Sequence, residues 1–113
     1  MAMTPEDVRA LVLSFPNTEE GTAYGHPAFK AFGKFFTRIR SEDDSLVLTG
    51  VGFDEREMLM QAEPETFHIT DHYRNYPAIL VRLSKVEAET VRGFLERRWK
   101  AVAPKRLLKS LQP

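Results

Sequence analysis

No cysteine occurs anywhere in the chain. A disulfide framework, a thiolate metal site and a cysteine nucleophile are therefore excluded, and a reducing, cytoplasmic setting is expected. Long apolar runs are missing as well. No window approaches the roughly 18 continuous apolar residues that a membrane-spanning helix needs. The opening Met1-Ala2-Met3-Thr4-Pro5-Glu6-Asp7 has neither the basic segment nor the apolar run of a signal peptide, so no membrane partner is expected. Catalytic signatures are lacking too. There is no Gly-x-Ser-x-Gly elbow and no Gly-x-x-x-x-Gly-Lys loop, and Gly50-Val51-Gly52 is too short to cradle a phosphate. The acidic groups Glu19-Glu20 and Glu42-Asp43-Asp44 sit in polar stretches that read as solvated loops. No catalytic residue and no cofactor is assigned, and the expectation is a protein that is not an enzyme.

What is present is ordinary for a globular protein: 113 residues, 42% apolar and 28% charged. One domain over residues 1–113 is expected, with the tail from about Pro104 forming a separate helical turn. Net charge is zero, but its distribution is lopsided. Residues 1–81 carry 7 basic and 13 acidic side chains, whereas residues 82–113 carry 9 basic and 3 acidic. Such asymmetry can mark a polyanion surface. The plainer reading is a basic helix end complementing its own macrodipole and an acidic neighbouring face.

Thr4-Pro5-Glu6-Asp7 predicts a helix start, with Thr4 as cap, Pro5 in the first turn and two acids at the positive dipole end. Val8, Leu11, Val12 and Phe15 then form one apolar stripe until Pro16. Asn17 to Thr22 reads as a polar loop leading into a brief strand around Thr22–Tyr24. Residues 25–40 read as two strands joined by a tight turn at Gly33. In the second, Phe35, Thr37 and Ile39 are expected on the buried face, and Lys34, Phe36, Arg38 and Arg40 on the other. Leu46–Thr49 is the next strand, Phe53–Ala62 a second helix, and Phe67–Thr70 and Ala78–Ser84 two further strands. A last helix from Val86 carries Val91, Leu95, Trp99 and Val102 on one face. Gly93 within it is expected to permit a close approach, and Leu107, Leu108 and Leu111 suggest a final amphipathic turn. The order α-β-β-β-α-β-β-α predicts a two-layer α+β fold, an antiparallel sheet of about five strands covered by helices.

The stretch Gly25-His26-Pro27-Ala28-Phe29-Lys30, followed by Gly33-Lys34-Phe35-Phe36 and the closing segment 91–109, resembles the MmcQ/YjbR family. The resemblance runs from the first helix to about Leu108. It implies a compact α+β domain like that of YjbR, similar to type III secretion chaperones and to CyaY-like proteins. It also implies the family's "double-wing" DNA-binding label, and no agreed catalytic residues.

Two candidate surfaces follow. The first is the basic end, Arg97, Arg98, Lys100, Lys105, Arg106 and Lys109, because such side chains neutralise phosphates with salt-dependent affinity. Trp99 among them would suit base stacking, but it falls on the apolar stripe and reads as core. Lys34 and Arg38, with Arg40, would extend this patch across a strand face; a solvated face with an edge-protecting lysine is the alternative. The second candidate is a partner-binding segment, Tyr73, Arg74 and Tyr76, since Tyr and Arg are favoured at interface hot spots. His68 and His72 stand four apart, a metal spacing on a helix. Here the segment reads as strand and no third ligand is evident, so no metal is assigned. His26 before Pro27 reads as a turn residue. The expected function is a non-catalytic nucleic-acid-binding module, with DNA as partner, acting through the basic C-terminal helix. The alternative is a protein-interaction adaptor or chaperone-like domain holding a partner peptide or, as a homodimer, a second copy.

Overall fold

The computed structural model describes residues 3–23 and 25–111. Six strands form one antiparallel sheet: β1 (Thr18–Ala23), β2 (His26–Ala31), β3 (Lys34–Arg40), β4 (Ser45–Thr49), β5 (Phe67–His68) and β6 (Ala78–Arg82). Their order across the sheet is β1-β2-β3-β4-β6-β5. The helices are α1 (Pro5–Leu13), α2 (Phe53–Ala62), α3 (Ala88–Val102) and α4 (Lys105–Leu111). The antiparallel α+β architecture is the expected one. Among the described residues no helix is long and apolar enough to cross a membrane.

Helix α1 begins where its sequence dictates. The Thr4 hydroxyl accepts from the Asp7 N–H at 3.1 Å and the Asp7 carboxylate accepts from the Thr4 N–H at 3.0 Å. This reciprocal capping box satisfies two otherwise orphaned donors. Leu46 and Leu48 of β4 and Ile79 and Val81 of β6 share one sheet face, and they pack with Val8 and Val12 of α1 and with Leu95 and Trp99 of α3. The opposite face carries a smaller cluster, Val47, Ala78 and Leu80, with Phe35 and Tyr73 against it. Period-two alternation thus divides each central strand between a large core and a second, more polar face.

Three expectations are corrected. First, the polar segment after α1 is strand β1. As an edge strand its residues 19–22 are exposed on both faces, so no apolar alternation announces it. Its anchors are polar: Thr18 Oγ1 donates to the carbonyls of Val12 and Phe15 at 3.2 and 2.8 Å, and Arg9 clasps Glu20. Tyr24, at the end of the strand expected there, lies outside the described residues, as does the side chain of Leu111.

Second, β3 does not alternate regularly. Phe29 pairs with Thr37, but the next residue, Lys30, pairs with Phe35, which leaves Phe36 as the extra residue of a β-bulge. The bulge turns Phe36 into the main core, edge-on to Phe15 with ring centroids 5.8 Å apart. Phe35 moves to the opposite face. Lys34 pairs with Ala31, a residue of the helix-covered face, so it parts company with Arg38 and Arg40.

Third, a Cβ on Gly93 would meet nothing within 4 Å. This glycine makes room for no neighbour.

The β2–β3 turn places both Phe32 (φ 53°) and Gly33 (φ 76°) in the left-handed region, the geometry that matches the twist of a two-residue hairpin. Such a backbone is unusual for an aromatic residue. Phe32 is held there by its ring against Trp99, centroids 5.4 Å apart, and by its N–H donating to the Asn17 carbonyl at 3.0 Å.

Candidate functional site

Past the bulge, regular alternation places Arg38 opposite Val47 and Arg40 opposite Ser45, on the face away from α1 and α3. Arg38 is only 5% exposed, a rare degree of burial for a side chain that stays charged. The short 3-10 turn Ser41–Asp43 folds the chain back over the two arginines. It sets the Glu42 carboxylate 3.8 Å from Arg38 Nη2, 3.9 Å from Arg40 Nη2 and 3.6 Å from His26 Nε2. Asp43 takes Arg40 more closely, at 3.3 Å. His26 opens β2, and His72 arrives from the second 3-10 turn, Asp71–Tyr73. His26, Arg38, Arg40, Glu42 and His72 line a cleft of about 320 Å³.

The cleft's charge is nearly balanced but loosely so. Each of these Glu42 contacts is longer than a hydrogen bond, and the Glu42 side chain is 46% exposed. Glu42 therefore sits at ion-pair distance from both guanidinium groups, while Arg40 Nε also donates to Asp43 Oδ1 at 3.3 Å.

Along the same face, His68 Nε2 lies 2.6 Å from the buried Ser45 Oγ. Burial lowers the His68 pKa from 6.5, Arg82 and Arg40 push the same way, and Asp43 opposes them. The imidazole thus favours its neutral form. Among the described residues, no group of three or more His, Asp or Glu side chains is arranged to hold a metal ion.

The aromatic loop after β5 borders the cleft. The Arg40 guanidinium lies 5.9 Å from the Tyr73 ring centroid. The His72 ring is 4.6 Å from that of Tyr73 and 6.2 Å from that of Tyr76, which is 57% exposed. The loop is fixed from α2. Arg56 Nη1 donates to the carbonyls of Tyr73, Tyr76 and Ala78 at 3.2, 2.9 and 3.3 Å, and Nη2 to that of Arg74 at 2.9 Å. Arg74 itself pairs with Asp71.

The basic C-terminal candidates do not converge in the same way. Arg97 makes a two-pronged pair with Glu55, 3.0 Å at each contact, which ties α3 to α2. Arg98 donates to the Phe35 carbonyl at 2.9 Å, and burial lowers its pKa. Lys100 pairs with Glu96 one turn back, at 3.2 Å. Trp99 is core, its indole N–H donating to the Pro16 carbonyl at 2.9 Å. Lys105, Arg106 and Lys109 of α4 are exposed.

Of the sequence candidates, Arg38 and Tyr73 meet at this face, and Lys34 does not. Sequence reasoning placed Arg40 beside Arg38 but read Glu42 as a solvated loop acid and His26 as a turn residue, whereas His26 is the first residue of β2, and it gave Arg56 no role. The Arg-x-Arg spacing on a strand was the available signal for the pair. His26 stands in the stretch that carries the family resemblance, but nothing in the sequence tied it, Glu42 or Arg56 to the pair.

The YjbR family model matches residues 13–101. The chain belongs to the YjbR family. The match takes in the whole sheet, the cleft and most of α3, and α4 follows it. Similar proteins include the uncharacterized protein Rv2570 of Mycobacterium tuberculosis strain H37Rv and the uncharacterized protein Mb2600 of Mycobacterium bovis. Each is 29% identical over 121 residues, covering 95% of this chain and 94% of the relative. No solved structure matches significantly.

Proposed function

We propose that this YjbR-family chain is a cytoplasmic, non-catalytic binding module for phosphate-bearing ligands, with Arg38 and Arg40 making the phosphate contact. The observation that carries this reading is the buried Arg38 at the wall of an open cleft, beside a second arginine and two histidines. Guanidinium groups suit phosphate geometry, and two of them line this one cleft. Nucleic acid is the polymeric form of such a ligand. For that partner the reading moves the contact from the basic helix end to the sheet, because Arg38 and Arg40 converge on one cleft with His26 and His72, whereas Arg97, Arg98 and Lys100 each turn to a different internal partner.

The test titrates the protein with inorganic phosphate by calorimetry, and with labelled single- and double-stranded DNA by anisotropy between roughly 50 and 200 mM salt. Arg40→Gln should weaken both about tenfold or more, as loss of a charge-assisted contact does. Removing the charges of Lys105, Arg106 and Lys109 together should leave phosphate binding unchanged. If only that triple variant weakens DNA binding, the contact belongs to α4. If neither probe binds at low salt, the reading fails.

A second reading is self-association through α2. That helix has no fully buried residue, and it exposes Phe53 (51%) and Met58 (62%) among the acids Asp54 and Glu57. The basic α4 of a second copy offers complementary charge. Sedimentation at a strictly monomeric mass across a wide concentration range would retire it.

A further inference from the structure

Resting on the phosphate reading above, we infer that the ligand is a nucleotide, whose phosphate enters the Arg38–Arg40 cleft and whose base stacks on the ring platform of His72 and Tyr76. The two halves of such a ligand need two different surfaces that meet. His72 joins them: it lines the cleft with Arg38 and Arg40, and its ring lies 6.2 Å from that of Tyr76 at an interplanar angle of 32°. Tyr73 extends the continuity, with its ring against His72 on one side and the Arg40 guanidinium near it on the other.

The platform is also prepared before any ligand arrives. A loop tip carrying exposed rings would ordinarily lose much of its binding free energy in being ordered. Here one guanidinium, Arg56, holds four successive or nearby carbonyls of the loop from outside it. Its hydrogen bonds are to backbone, so the Tyr76 side chain is left 57% exposed and contributes nothing to them. Exposed rings on a fixed loop next to a cation-lined cleft are what stacking recognition of a base requires. An inorganic anion would make no use of them.

Titration calorimetry at constant ionic strength with inorganic phosphate, adenosine, adenosine monophosphate and a short single-stranded oligonucleotide tests this. The variants are Tyr76→Ala, Tyr76→Phe and Arg40→Gln. Adenosine monophosphate should bind about tenfold tighter than phosphate, in line with one stacked base. Tyr76→Ala should erase that difference while leaving phosphate affinity as it was, and Tyr76→Phe should retain it. Arg40→Gln should weaken both phosphate-bearing probes. If adenosine monophosphate and phosphate bind equally well, the nucleotide inference is overturned and the anion site stands. If neither binds, both fall. Tighter binding of the oligonucleotide than of the mononucleotide supports the inference with a strand as source, and the reverse order supports it with a free nucleotide.

Discussion

Arg56 of α2 donates to the carbonyl of Tyr76 at 2.9 Å, and through the same guanidinium to those of Tyr73, Arg74 and Ala78. One side chain thereby sets the shape of a loop that belongs to a different part of the chain. Arg56→Ala should leave those carbonyls short of donors and lower stability by about 1–3 kcal/mol, read from urea unfolding. Amide exchange within residues 71–77 should accelerate more than elsewhere. Arg56→Lys should recover little, because a single ammonium cannot reproduce a planar fork reaching four acceptors. Unchanged exchange in the alanine variant would show that the loop holds its form without α2.

The His68 imidazole gives the fold a definite pH dependence. Its pKa is lowered in the folded state, first by burial and then by Arg82. The unfolded chain therefore binds more protons than the native one from about the 6.5 of a free histidine down to the lowered native value. By linkage, stability rises with pH across that window and is lost as pH falls through it. Acidification from neutrality should reduce the unfolding free energy of the wild type, and His68→Gln should flatten that slope. Parallel slopes in the two proteins would place the proton uptake elsewhere.

Local chemistry was the legible part of this fold. The α1 start could be read because Thr4, Pro5 and Asp7 act on their own neighbours. The β4 and β6 strands could be read because Leu46, Leu48, Ile79 and Val81 must all face one core. The bulge could not, since Phe35 and Phe36 are chemically equal and either satisfies a period-two pattern; only the pairing with β2 decides between them. Edge strand β1 was hidden because it buries no apolar face of its own. The cleft was hidden for another reason. Its residues come from three separated segments, around His26, Arg38 to Glu42, and His72, and only the sheet order and the loop fixed by Arg56 unite them.

Gly93 offers a test of helix α3 apart from any site. It sits in the helix interior on the exposed side, and a Cβ there meets open space. Glycine in such a position costs about 1 kcal/mol relative to alanine through unfolded-state entropy and helix propensity. Gly93→Ala should therefore raise stability by about that amount, seen as a higher denaturant midpoint with an unchanged slope. A loss of stability would mean that α3 uses the flexibility of this residue in packing over the sheet.

Glu42 is the residue whose substitution should improve binding. Its carboxylate faces Arg38, Arg40 and His26 at 3.6 to 3.9 Å, where an incoming phosphate would make its own contacts. It therefore competes for the cations and repels the ligand. Glu42→Gln keeps the shape and removes the charge. At the separations and screening of a partly exposed site, this should tighten phosphate binding about three- to tenfold. Folding stability should fall at the same time, by about 1–3 kcal/mol, because the Arg38 and Arg40 side chains are only 6% and 13% exposed and lose a nearby counter-charge. Titration of the variant with inorganic phosphate checks both statements when paired with urea unfolding. Weaker binding would put the carboxylate on the ligand's side, accepting from a ligand hydroxyl, and would contradict its role as a displaceable counter-ion.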